Sequence, residues 1–119
     1  MSKVLNSTQM AHASALAEFI AVLNTAHNGT VTMETGRKFD KIYIGGGIRY
    51  FVVKSPTRGF NPGDILGAKS LLAPNFKWFF GSLENHTKWN WEGYHGRPVS
   101  DTSVLEVKGY GSYKHYKRK

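Results

Sequence analysis

The spacing of apolar residues changes once along this chain, at Asn28-Gly29, and this change limits the possible folds more than any other feature. Before it, within residues 8–27, apolar residues recur at steps of three and four and predict one amphipathic helix. They are Met10, Ala13, Leu16, Ala17, Ile20 and Leu23. Gly29 suits the left-handed position that ends a helix. After it the period becomes two, so the pattern predicts an α+β domain with an N-terminal helix packed on a small antiparallel sheet.

The centre of the chain has the pattern of a β-hairpin. Residues 38–44 and 48–54 are β-prone and flank Gly45-Gly46-Gly47, which predicts a glycine turn rather than a phosphate-binding loop, because neither a helix nor a Gly-Lys-Ser/Thr motif follows. Further strands are expected at 30–35, 65–68 and 102–108, and an aromatic strand or turn at 76–83. Residues 84–100 combine polar and aromatic residues without a period, which predicts a long aromatic loop. The basic C-terminal tail follows.

Length and composition restrict the class of protein. The 119 residues fit a single domain, 1–119, in which segments 1–7 and 109–119 are expected to be mobile. The absence of cysteine excludes disulfides, thiolate zinc sites and cysteine nucleophiles, and it fits a reducing cytoplasm. No apolar run reaches the roughly 18–20 residues of a membrane span. The net charge of +8 favours a polyanionic partner.

Several short motifs between residues 36 and 83 occur in a recognisable order. They are Gly36-Arg37-Lys38-Phe39, Arg49-Tyr50-Phe51-Val52, Gly63-Asp64-Ile65-Leu66, Ala68-Lys69-Ser70, Pro74 and Gly81-Ser82-Leu83. In this order they resemble small proteins from tailed-bacteriophage genomes for which no activity is established. The resemblance implies a phage origin and action in the host cytoplasm, and it transfers no catalytic residue. The loop 55–62 is longer than the tight turn typical of those proteins.

Basic and aromatic residues alternate from Arg37 onward, whereas the helix has almost no Lys or Arg. Lysine and arginine neutralise phosphates, and exposed aromatic rings stack on bases. The candidate nucleic-acid-binding residues are Arg37, Lys38, Lys41, Arg49, Lys88, Trp89, Trp91 and Arg97. Trp78, Phe79 and Phe80 are interpreted as core residues, whereas the polar surroundings of Trp89 and Trp91 offer no evident core. Residues 110–119 repeat the basic-aromatic mixture at the C-terminus.

Catalytic and metal-binding patterns are weak. His86 and His95 are nine residues apart and lack a nearby third ligand, so no metal site and no cofactor are expected. Glu84, Glu92 and Asp101 fall in predicted loops, and Asp64 after Gly63 is typical of a turn. A hydrolase built from these His and Glu residues stays open, but no spacing requires it. The sequence favours a protein that is not an enzyme.

Two functions follow from these patterns. The first is a non-catalytic phage-type module that binds single-stranded or structured nucleic acid. The second is a small interaction protein that docks on a host or phage protein complex, such as a defence or transcription machine, through exposed aromatic anchors. No small-molecule substrate is inferred. Membrane-surface binding is not expected, because the polar side of the helix lacks basic residues.

Overall fold

The computed structural model describes residues 7–98 and begins with one long helix. Helix α1 spans Ser7–Ala26. Asn28 and Gly29 follow it with positive φ angles of 58° and 73°, and the Gly29 amide donates to the Asn24 carbonyl at 2.8 Å. A left-handed residue after the last turn is a common way to end a helix, because it lets later amides reach free carbonyls. The predicted helix and its glycine end are confirmed.

The rest of the described chain forms a five-stranded antiparallel sheet in which each strand pairs with the next in sequence. The strands are β1 (Val31–Thr35), β2 (Phe39–Ile44), β3 (Gly47–Val53), β4 (Asp64–Ala68) and β5 (Pro74–Ser82). A 3-10 helix at Leu83–Lys88 comes next, and β6 (Trp89–Asn90) then pairs with β7 (Arg97–Pro98). The α+β class is therefore confirmed.

The glycine turn between β2 and β3 uses two of its three glycines. Gly45 and Gly46 have φ angles of 63° and 88°, whereas Gly47 pairs with Ile44 and begins β3. Two consecutive left-handed residues match the type I′ turn, whose twist fits the twist of the two strands. The predicted hairpin is therefore confirmed, with a two-residue turn between β2 and β3.

Both faces of the sheet are apolar. On one face Ile42, Tyr50 and Val52 are buried beneath α1, and the Phe19 ring of α1 lies 6.2 Å from the Tyr50 ring. The other face has a cluster of phenylalanines. They are Phe39, Phe51, Phe60, Phe76 and Phe79. Phe60 comes from the loop 55–62, so the length of this loop has a physical reason: it covers the second face.

Residues 84–100 were expected to be a long aromatic loop; the aromatic cluster is present and residues 91–96 are irregular, but as far as Pro98 the segment also contains two short ordered elements that the sequence did not predict. The 3-10 helix and the β6–β7 pair order this segment against α1 and β3. Trp89 and Trp91 are only 4% and 2% exposed, because the Trp91 ring packs between Phe19 of the helix and Tyr50 of the sheet and the Trp89 ring stacks on it. The predicted strand at 102–108, the predicted mobile tail at 109–119 and residues 1–6 lie outside the described residues.

Candidate nucleic-acid interface

The segment 91–96 is fixed by hydrogen bonds to buried groups. The Gly96 amide donates to the Tyr50 hydroxyl at 2.8 Å, and the Trp91 indole N–H donates to the His86 carbonyl at 2.9 Å. His27, just beyond α1, approaches the Trp91 carbonyl with Nε2 at 2.8 Å. Burial raises the pKa of Tyr50, so its hydroxyl stays protonated at neutral pH. These contacts hold the next surface residues, Tyr94 and His95, in place.

A large bulge in β5 brings a tryptophan to the surface next to this segment. Leu66 pairs with Phe79 but the following Gly67 pairs with Asn75, so residues 76–78 have no partner on β4. Bulges at sheet edges redirect side chains. Lys77 is exposed, and the indole of Trp78 is 40% exposed. Trp78 was interpreted as a core residue, and that interpretation is wrong for this ring.

Gly67 makes room for the tryptophan. A Cβ atom at Gly67 would lie 3.0 Å from the Cβ of Trp78 and 3.4 Å from the Phe80 ring. A side chain at this position therefore requires the Trp78 backbone to move. Gly67 on β4 thus allows Trp78, in the bulge of β5, to approach β4 closely.

Three rings stack nearly parallel at this edge. His95 lies 5.6 Å from Trp78 and 5.3 Å from Phe80 between ring centroids, with interplanar angles of 24° and 23°. Trp78 and Phe80 are 6.1 Å apart at 21°. Phe80 is buried beneath, so the stack joins the core to the surface. The exposed part of Trp78 is consequently held in a fixed orientation by two neighbouring rings.

Arg49 and Tyr94 extend the same surface. Arg49 has no partner on β2, because Ile42 pairs with Tyr50 and Tyr43 pairs with Ile48, which makes Arg49 the extra residue of a second bulge. Its guanidinium lies 3.9 Å from the centroid of the Tyr94 ring and donates to the Tyr94 carbonyl at 2.6 Å. Tyr94 is 66% exposed and its ring meets His95 at 4.7 Å. A cation and two exposed aromatic rings therefore lie side by side, connected through His95.

The pKa of His95 is lowered, first by burial and then by the positive charge of Arg49. Both effects disfavour the imidazolium, so His95 is a neutral ring at pH 7. Because the unfolded chain takes up this proton more readily, stability from this group is complete above the ordinary His pKa of about 6.5 and is lost as pH falls below it.

The expected loss of stability at lower pH can be tested by urea denaturation between pH 7.5 and 5.5. We expect the midpoint for the wild type to fall more steeply with pH than the midpoint for His95→Phe, which keeps an aromatic ring but cannot be protonated. The other histidines are common to both proteins, so the difference in slope isolates His95. Equal slopes would show that the site does not disfavour the charged ring.

The structure separates the eight residues predicted to bind nucleic acid. Arg49 lies in the stacked surface, and exposed Arg97 follows the same segment on β7. Exposed Arg37 and Lys38 lie in the β1–β2 turn, near Lys54, whose amide donates to the Lys38 carbonyl at 2.7 Å. That end of β3 is roughly 17 Å from Arg49, at about 3.3 Å per residue.

The remaining four predicted residues lie away from the stacked rings or in the core. Lys41 lies on the phenylalanine face, with its amine 5.8 Å from the Phe51 ring. Lys88 is exposed at the end of the 3-10 helix. Trp89 and Trp91 are buried, so the prediction that they offer surfaces for base stacking is wrong in this fold. The exposed aromatic rings of this region are instead Trp78 and Tyr94.

The acidic residues named above lie apart from one another as far as Pro98, and Asp101 falls outside the described residues. The Asp64 carboxylate accepts from the Asn61 amide at 2.9 Å, which confirms its role in a turn. Glu84 and Glu92 are exposed, and His86 is buried against the Phe19 ring. Among residues 7–98, no three His, Asp or Glu side chains lie close enough together to hold a metal ion. In the same residues no helix has the length and apolarity needed to cross a membrane.

Comparison with known proteins gives no relative. No protein family, curated protein or solved structure matches this chain significantly.

Proposed function

We propose that the protein binds single-stranded nucleic acid at the surface formed by Lys77, Trp78, Tyr94, His95 and Arg49, which we call the stacking surface. The observation that supports it most is the indole of Trp78, 40% exposed and oriented by stacking on His95 and Phe80. An unpaired base offers a flat face to such a ring, and the stack is worth about 1–3 kcal/mol per base. Bases in a duplex are not free to stack in this way.

Charge supports the same partner. Arg49 lies on the Tyr94 ring, and exposed Lys77 precedes Trp78 in the bulge of β5. Phosphates follow each other along a strand together with the bases, and basic side chains next to stacking rings can neutralise them. The net charge of +8 adds long-range attraction. By its resemblance to phage proteins, we place this activity in the cytoplasm of an infected bacterium.

The test is binding of a fluorescently labelled oligothymidine, followed by anisotropy at about 50 mM salt, where charge contacts are little screened. Wild-type affinity is expected to fall steeply as salt is added. Trp78→Ala is expected to weaken binding by roughly 5- to 150-fold, the equivalent of one stacked base at about 1.4 kcal/mol per tenfold. Absence of binding by the wild type at this salt contradicts the proposal.

A matched pair of arginines checks the location. Arg49→Ala and Arg37→Ala remove the same charge, but only Arg49 lies in the stacking surface. We expect the first variant to bind clearly less tightly than the second. Equal losses would mean that binding reflects net charge alone and that the stacking surface has no special part in it.

A protein partner is the second candidate, and the turn between β4 and β5 favours it. Leu71 and Leu72 are both exposed there, close in sequence to the bulge that carries Trp78. Exposed apolar and aromatic residues together are typical of interface anchors. Capture from bacterial lysate with and without nuclease separates the two functions. A partner that depends on Leu72 and is retained after nuclease treatment favours protein docking, whereas loss of all partners favours nucleic acid.

A further inference from the structure

Among residues 7–98 no strand pairs with the outer edge of β1, although the Asn24 side chain already occupies the amide of Val31. Thr30 and Gly36, at the two ends of β1, exchange main-chain hydrogen bonds with the β2 side, to Gly45 and Phe39. Since bonding direction alternates along an antiparallel strand, Thr32 and Glu34 also bond inward. Val31, Met33 and Thr35 therefore direct their amides and carbonyls away from β2. The Asn24 side chain accepts from the Val31 amide at 3.0 Å, which agrees with this direction.

This edge lacks most of the features that usually prevent strand pairing, although it is five residues long and carries one charged side chain, Glu34. Its register with β2 is regular, and the strand Val-Thr-Met-Glu-Thr contains no proline, lysine or bulge. The opposite edge, β5, is interrupted by its bulge. Natural proteins commonly protect exposed edges by such interruptions, so an uninterrupted open edge points to a partner.

An apolar side of α1 lies above the open edge. The residues Met10, Ala13, Ala17, Ile20 and Asn24 follow steps of three and four, so they share one side of the helix. Asn24 bonds to the outer side of β1, which shows where this side faces. Met10 is 57% exposed and Ala13 and Ala17 are also exposed, although the sequence pattern predicts all of them in one buried stripe. Met33, on the same face of the sheet, is 42% exposed.

We propose that the protein forms a two-fold dimer in which β1 pairs with β1 of a second copy, and the apolar sides of both α1 helices face each other across the seam. Pairing centred on Met33 gives a continuous ten-stranded antiparallel sheet. The two-fold axis is perpendicular to the sheet, so both helices lie on one face. In this register Glu34 is opposite Thr32 of the second copy, and no two acids meet.

Charge identifies a second copy as the occupant. Two chains of net charge +8 repel each other, but residues 7–35 contain no Lys or Arg and only two acids, Glu18 and Glu34. This surface has no basic side chain that a polyanion could bind, and it offers a strongly basic partner only two carboxylates. Two copies can meet there with their basic regions directed outward. The seam between the two copies is as long as the 20-residue helix, roughly 30 Å.

The test is sedimentation velocity of the full chain, without nucleic acid, from about 1 to 100 μM. A dimer is expected within this range. Ala17→Lys and Met33→Lys each place a cation on the seam and are expected to weaken dimerisation at least tenfold. Ala11→Lys is the matched control, because Ala11 is exposed on the same helix but about 140° from Asn24.

The outcomes are distinct. A wild type that stays monomeric at 100 μM overturns the proposal. The proposal is also overturned if the Ala17→Lys and Met33→Lys variants form dimers as tightly as the Ala11→Lys variant does. Far-UV circular dichroism checks that each variant is folded, which is expected because all three positions are exposed. Since no oligonucleotide is present, failure here does not bear on the stacking surface.

Discussion

Replacing Trp91 by alanine is expected to lower the free energy of unfolding by about 3–5 kcal/mol, the range for deleting a buried aromatic ring. The Trp91 ring lies 4.7 Å from Phe19 on α1 and 5.5 Å from Tyr50 on β3, edge-on to both. Removing this ring leaves a cavity between helix α1 and strand β3. The free energy of unfolding of such a domain is roughly 5–15 kcal/mol, so the variant is expected to be only marginally stable. Urea denaturation followed by circular dichroism measures the loss.

Trp78→Ala is the control for this result, since it makes the same truncation at a half-exposed ring. We expect a clearly smaller loss of stability from it, together with the loss of nucleic-acid affinity described above. The pair therefore separates a structural tryptophan from a binding one. If Trp91→Ala left stability unchanged and reduced binding instead, Trp91 would be a surface residue and the packing of residues 86–91 would be different.

Gly81→Ala is expected to be the other severe substitution, at about 2–5 kcal/mol. Gly81 has a φ of +78°, where a side chain costs about 1–2 kcal/mol. A Cβ there would also lie 2.7 Å from the Trp89 Nε1 and 2.8 Å from the Asn85 Oδ1, and overpacking adds roughly 1–3 kcal/mol. The midpoint of urea unfolding should fall while its slope stays the same, because the folded state alone is strained.

Gly29→Ala isolates the backbone contribution. Gly29 has nearly the same φ, +73°, but nothing lies within 4 Å of a Cβ at that position. Only the cost of about 1–2 kcal/mol for the left-handed conformation is expected. If both glycine variants lost the same amount, the close approach of Trp89 and Asn85 to Gly81 would be disproved.

Elements set by neighbouring residues could be predicted from the sequence. The helix, its end at Gly29 and the β2–β3 hairpin each depend on residues within a few positions, such as the left-handed Gly45 and Gly46. The two apolar faces of β3 likewise follow from simple alternation. These features therefore appear in the sequence pattern and in the structure alike.

Elements set by distant contacts could not be predicted. Trp89 and Trp91 lie in a polar stretch. Trp91 packs on Phe19 and Tyr50, which are 72 and 41 residues away in the sequence, and Trp89 stacks on Trp91. The stacking surface depends on two bulges, and no local pattern predicts a bulge that leaves residues 76–78 unpaired. One signal was present: three successive aromatics, Trp78-Phe79-Phe80, cannot all face the same side of a strand. Burial of Phe79 on one face directs Trp78 away from that core.

The contact between Phe19 and Trp91 also bears on the order in which the chain can fold as it is made. The two rings are 72 residues apart, and a ribosome needs roughly 4–14 s to add that many residues. Throughout this time α1 has emerged without the ring that covers Phe19, while the sheet can grow by hairpins between neighbouring strands. The nascent helix thus exposes apolar residues until residue 91 leaves the ribosome, which makes the packing of Trp91 on Phe19 a late step in forming the core.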